Sequence, residues 1–215
     1  MKIWDISRTL SNDFAEWPGD EPFDYRLTNE ITKGASVNLG AITMSVHNGT
    51  HADARFHFDT NAESIEKVPL DTYLGRATVV DLSQTFSQSS EKHLITREDL
   101  RPHAEQIAAT SRLLVKTGRW RDSTNFPSRI PVIAADLPSW LQKNGVQLLG
   151  VDLPSMDEID SKSLQNHQAL AGAGIAIIES LDLSDVAPGI YNFAALPLKI
   201  ASADGAPVRA VLWRD

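Results

Sequence analysis

Three of the six histidines, His47, His51 and His57, fall within eleven residues of one another together with Asp53, in the run His47-Asn48-Gly49-Thr50-His51-Ala52-Asp53-Ala54-Arg55-Phe56-His57. A fold that uses this run must deliver four side chains to one place. At about 100° per residue, a continuous helix would leave Asp53 and His57 pointing away from His47 and His51. All four positions are odd-numbered, so an extended chain of period 2 directs them to one side, and Asn48-Gly49 gives the backbone freedom to curl. The expectation is a strand running into a tight loop. The sequence contains no Cys, which removes disulfides, thiolate nucleophiles and Cys-ligated zinc. Neutral imidazole with carboxylate suits Zn²⁺ or Mn²⁺, and the two oxygens of Asp53 could bridge a pair of ions. A polar surface loop would account for one isolated histidine; four ligand-type groups at these offsets favour a metal site.

With 215 residues, 42% hydrophobic and 22% charged, the chain reads as one domain over 1–215. Acidic residues outnumber basic ones 28 to 20, a net charge of −8, which argues against a nucleic-acid partner. The start Met1-Lys2-Ile3-Trp4-Asp5 meets acid at once, and no apolar stretch approaches the roughly 20 residues that span a bilayer, so the expected location is the cytoplasm with no membrane partner. Strand-like runs lie over 41–46, 77–82, 112–116, 146–151, 175–178 and 208–213. Helical patterns cover 97–108 after Thr96 as N-cap, 137–144 ending at Gly145, and 163–171 ending in Gly172-Ala173-Gly174, while the polar stretch 82–90 reads as a loop. The alternation predicts an α/β fold, with 148–151 buried on both faces. No Gly-x-Ser-x-Gly marks a serine nucleophile.

The pattern His-x-Gly-Thr-His-x-Asp-x-x-x-His resembles that of the kynurenine formamidases of bacterial tryptophan degradation, within the cyclase-like metal hydrolases. Further blocks carry the resemblance across nearly the whole chain: Trp17-Pro18-Gly19-Asp20, Val68-Pro69-Leu70-Asp71-Thr72-Tyr73-Leu74-Gly75, Gly150-Val151-Asp152-Leu153-Pro154-Ser155-Met156-Asp157, and Ala203-Asp204-Gly205-Ala206-Pro207-Val208-Arg209-Ala210. It implies a single-domain swivelling β/β/α-type fold, a homodimer and two divalent ions, Zn²⁺ or Mn²⁺. It also implies that His47, His51 and Asp53 bind one ion, and that Asp53 reaches a second completed by His167 and Glu179. The implied reaction is hydrolysis of N-formyl-L-kynurenine to L-kynurenine and formate.

By the same resemblance Trp17 contacts the small-molecule substrate, and a competing view makes it the anchor of the Pro18-Gly19 turn. The remaining histidine of the motif, His57, is the expected acid/base group, a role that suits the imidazole side chain. The five ligands return only two negative charges against four positive ones, an excess of about +2 that would help ionise a bound water. Arg55 stands where many relatives have Pro, which puts substrate choice in question through loop rigidity or a cation at the pocket entrance. Two alternatives stay open: a cyclase-like hydrolase acting on another amide or lactam, and a metal-binding protein without turnover.

Overall fold

The computed structural model describes residues 1–88 and 93–214. Among them the strands run β1 (Lys2–Asp5), β2 (Asp24–Asn29), β3 (Leu39–Thr43), β4 (His51–Asp53), β5 (Leu74–Asp81), β6 (Leu94–Ile95), β7 (Arg112–Lys116), β8 (Val132–Ile133), β9 (Leu148–Val151), β10 (Ala176–Glu179), β11 (Gly189–Ala194), β12 (Gly205–Pro207) and β13 (Val211–Arg214). Nine form one mixed sheet in the order β1-β13-β11-β5-β7-β9-β10-β4-β12. Its centre, β5-β7-β9-β10, is parallel, and the pairs outside it are antiparallel. The strands β2 and β3 form a separate hairpin, and β6 pairs with β8.

The central strands are apolar because both faces are covered. On β7, Leu113 and Val115 join a core with Phe86, Leu100, Ile107, Leu137 and Leu170, whereas Leu114 between them joins Ile6, Ile178, Tyr191 and Leu212 on the other face. The first core is roofed by the helices α1 (Ser83–Ser87), α2 (Arg97–Leu100), α3 (Ala104–Ala108), α4 (Leu137–Lys143) and α5 (Gln165–Gly172). The α/β expectation holds, and Leu148–Val151 is buried throughout. No helix among the described residues is long and apolar enough to cross a membrane.

Three local expectations are corrected. The helix expected over 97–108 starts as expected, with Thr96 in a capping box with Asp99, but breaks into α2, a 3-10 turn at Arg101–His103 and α3. Pro102 is the cause, since it has no N–H to donate and its ring crowds the preceding turn. The stretch 82–90, expected as a loop, contains α1, because Phe86 is drawn fully into the core; residues 89 and 90 lie outside the described ones. The strand expected over 41–46 ends at Thr43, and the chain then turns before β4.

Candidate metal centre

The extended-chain expectation for 47–57 holds for one pair only. On β4 His51 and Asp53 are two residues apart and share a face, as period 2 requires. His47 lies in the turn before the strand, where Gly49 takes a left-handed φ of 68°, and His57 ends the 3-10 turn Arg55–His57. These bends bring the rings of His47 and His57 to 4.1 Å between centroids.

Sheet pairing adds the distant residues. Antiparallel register sets Glu179, the last residue of β10, opposite His51. Gly174, with φ of 74°, turns the chain from α5 into β10, so that His167 on α5 and Glu179 return to the same point. Thr50 fastens the strand end, accepting from Arg8 N at 2.9 Å and donating to Ser180 O at 2.6 Å. Three groups of potential ligands result: His47-His51-Asp53 and Asp53-His167-Glu179, which share Asp53, and the more exposed His47-His57-Asp204.

Donor spacing tests whether an ion fits. Donors arranged tetrahedrally about 2.1 Å from a zinc lie about 3.4 Å apart. Here His47 Nδ1 is 3.1 Å and His51 Nε2 3.4 Å from Asp53 Oδ1, while His167 Nε2 is 3.4 Å from Asp53 Oδ2 and 3.2 Å from Glu179 Oε1. Asp53 Oδ2 is buried with no hydrogen-bond partner among the described residues, a state that costs free energy unless a cation satisfies it. The residues therefore fit divalent ions, and every donor is imidazole or carboxylate.

The ligand rings are oriented from behind. His51 Nδ1 donates to Gly49 O at 2.8 Å, and His167 Nδ1 donates to Asp157 Oδ2 at 2.6 Å, so the Nε2 atoms face inward. Asp157 also accepts from the backbone N–H groups of Asn166 and His167, at the start of α5. His47 Nε2 and His57 Nδ1 both meet Asp204 Oδ2, at 2.9 and 3.1 Å.

Burial opposes charge on the rings, but carboxylates prevail without an ion. Asp204 and Asp53 push His47 up to about 9, Asp53 and Glu179 push His51 to about 10, and Asp157, Asp53 and Glu179 push His167 to about 12. Burial would raise the Asp53 carboxyl, yet His167, His47 and His51 hold it well below the usual range. The bond from His47 likewise holds Asp204 low, and His167 outweighs burial at Asp157. Asp157 and Asp204 were not counted among the ligands in the sequence. With them the carboxylates total four, so the excess of +2 expected from the ligands alone is offset one layer out.

Above this floor opens a cavity of about 260 Å³, lined among others by Trp17, Trp120, Phe126, His57 and Lys162. Trp17 lines this cavity from the Pro18-Gly19 turn. Its carbonyl accepts from Asp20 N at 3.0 Å across the Pro18-Gly19 turn, and its ring meets Phe126 edge-on at 5.4 Å. Trp120 and Phe126 escaped the sequence reading, since only the fold sets them beside Trp17. Arg55 is exposed and borders a second hollow with Asp53 and Tyr73.

The fold and this carboxylate-bridged imidazole cluster define a hydrolase-like metal site, and comparison gives it a family. The family described as "Putative cyclase" matches residues 4–158. The chain belongs to this cyclase family. A kynurenine formamidase from Geobacillus thermodenitrificans (strain NG80-2) is 44% identical over 213 residues, covering 99% of this chain and 98% of the relative. That of Bacillus thuringiensis subsp. konkukian (strain 97-27) is 41% identical over 209 residues, covering 97% and 95%. A solved structure of a potential metal-dependent hydrolase with cyclase activity superposes with a TM-score of 0.77 at 26% identity, covering 98% of this chain and 96% of its own. Isatin hydrolase A from Labrenzia aggregata, at 22% identity, shares the fold with a TM-score of 0.82, covering 98% and 93%.

Proposed function

We propose that this chain is a kynurenine formamidase that hydrolyses N-formyl-L-kynurenine to L-kynurenine and formate in tryptophan degradation. Two divalent ions, zinc or manganese, would be held by His47, His51 and Asp53 and by Asp53, His167 and Glu179. The observation that carries this reading is one buried carboxylate, Asp53, shared by two ligand groups. The chain around it is 44% identical over 99% of its length to a kynurenine formamidase.

When bound, such ions supply a water that ionises near neutral pH and a Lewis acid for the formyl carbonyl. His57 belongs to neither of the two ligand groups that share Asp53, and its ring lines the cavity. It takes a proton from the attacking water and returns it to the anilide nitrogen as the C–N bond breaks, leaving formate and an arylamine. Trp17 and Phe126 offer the substrate's ring an aromatic wall, worth about 1 kcal/mol beyond area burial. The enzyme works in the cytoplasm as a homodimer; the exposed apolar residues of the β2–β3 hairpin, Tyr25 and Ile42 among them, support the second copy.

The test strips the protein with a chelator, reloads it with zinc or manganese, and follows N-formylkynurenine by ultraviolet absorbance. Reloaded protein is expected to hydrolyse it and stripped protein to be inert. His57→Ala should keep its metal and lose about 10²–10⁴-fold in rate, whereas Asp53→Ala should lose metal. Bound metal without turnover overturns the reading, and turnover of a lactam in place of the linear formamide overturns the substrate. If His57→Ala empties the site, its role as proton carrier fails.

A further inference from the structure

Asp204 immediately precedes β12, whose pairing with β4 sets Gly205 opposite Asp53. Asp204 O accepts from Ala54 N at 2.9 Å, which anchors the residue's backbone over the bend between β4 and the Arg55–His57 turn. Its side chain thereby reaches two imidazoles at once. His47 Nε2 lies 2.9 Å and His57 Nδ1 3.1 Å from the same oxygen, Oδ2. An ionised carboxylate only accepts, so both nitrogens donate to it.

That arrangement has a consequence for each ring. His47 donates from Nε2 to Asp204, which turns Nδ1 toward Asp53 and makes Nδ1 the nitrogen that would give up its proton to an ion. His57 donates from Nδ1, so in its neutral form the lone pair sits on Nε2 of a ring that lines the cavity. A free neutral imidazole side chain favours the opposite form, with the proton on Nε2, so the form His57 needs as a base has to be imposed on it. The other two ligand rings each have a separate acceptor, Gly49 O and Asp157. A Cβ on Gly205 would stand 2.8 Å from His47 Cε1, so the same segment that supplies the carboxylate also leaves room for the ring.

We propose that Asp204 is a positioning residue that sets, through one carboxylate oxygen, the tautomers of both the metal ligand His47 and the acid/base group His57. The proposal rests on the reading of those two roles given above. Asp204 thus ties the ligand shell to the proton carrier: one side chain governs how firmly an ion is held and which His57 nitrogen faces substrate.

The experiment compares wild type, Asp204→Ala and Asp204→Asn in three measurements. Imidazole ¹⁵N NMR of the zinc-loaded protein reads the tautomers, competition with a chromophoric chelator reads zinc affinity, and steady-state kinetics reads kcat and KM at saturating zinc. Asp204→Ala is expected to move the His57 proton to Nε2 and to lower zinc affinity about 10–100-fold. Its kcat should fall about 10–100-fold while KM stays within about threefold. Asp204→Asn keeps an acceptor oxygen and is expected to restore the tautomers and most of the affinity. An alanine variant with unchanged tautomers and unchanged zinc affinity overturns the proposal. The first two measurements involve no substrate, so they decide the role of Asp204 even if wild type proves inactive on N-formylkynurenine.

Discussion

The half-buried His47 and the buried His51 and His167 hold extra protons to unusually high pH, and those protons stand where cations would otherwise be. The direction of the pH effect follows. Each ring has a folded pKa of about 9, 10 or 12, above the unfolded value near 6.5. Its stabilisation is complete below about pH 6.5 and is lost as pH rises through the folded value. Metal-free protein should therefore melt at progressively lower temperature from about pH 7 to pH 10. Zinc must displace the same protons, so its apparent affinity should rise about tenfold per pH unit for each proton released between pH 6.5 and 8.5. Calorimetry of stripped protein and chelator competition measure the two trends; an affinity flat across that window would mean these rings shed no protons to the ion. The cluster His47-His51-Asp53-His57 was legible because few histidines occur and these lie together. Asp157 and Asp204 were not, because the chain has 28 acidic residues and nothing local distinguishes two that abut imidazoles only after folding.

At the level of elements, the ligand pattern depends on pairings of very short strands. The three-residue strand β4 is held between β10 and β12, and each neighbour supplies something: Glu179 from one, the approach of Asp204 and Gly205 from the other. Gly205 has no room to become larger, since its Cβ would meet His47 Cε1 at 2.8 Å and the backbone oxygen of Ala52 at 3.0 Å. Gly205→Ala should therefore fold, because one three-residue pairing is a small part of the sheet, yet bind zinc at least tenfold more weakly as the His47 ring is displaced. Circular dichroism and the chelator competition separate those outcomes, and unchanged affinity would show that the ring has slack. The strands read correctly from sequence were the buried apolar ones, β5, β7, β9 and β10, whose runs of Val, Leu and Ile leave little choice. The strand β12, Gly205–Pro207, carries no such signal. Its extended form comes from pairing with β4, which is information outside its own three residues.

Among the described residues one surface of the protomer gathers exposed apolar side chains. The β2–β3 hairpin pairs only within itself among the described strands, and it exposes Tyr25 at 48%, Leu27 at 39%, Leu39 at 52% and Ile42 at 61%. Ile31 and Val37 near its turn are also more than half exposed, at 57% and 51%. A two-stranded hairpin is marginal in water by itself, and soluble monomers rarely display contiguous apolar patches of this kind. Fully burying one such side chain gains about 1.5–3 kcal/mol, so covering four to six of them repays a substantial part of the cost of association. The net charge of −8 opposes self-association only weakly at physiological salt, where the screening length is about 8 Å. Sedimentation equilibrium at micromolar concentration should therefore return the mass of two chains. The double variant Leu27→Lys with Ile42→Lys should return one, with its circular dichroism retained because both side chains already face solvent within the protomer. A wild-type protein that sediments as a single chain would remove the second copy and leave the apolar hairpin to be covered by something else.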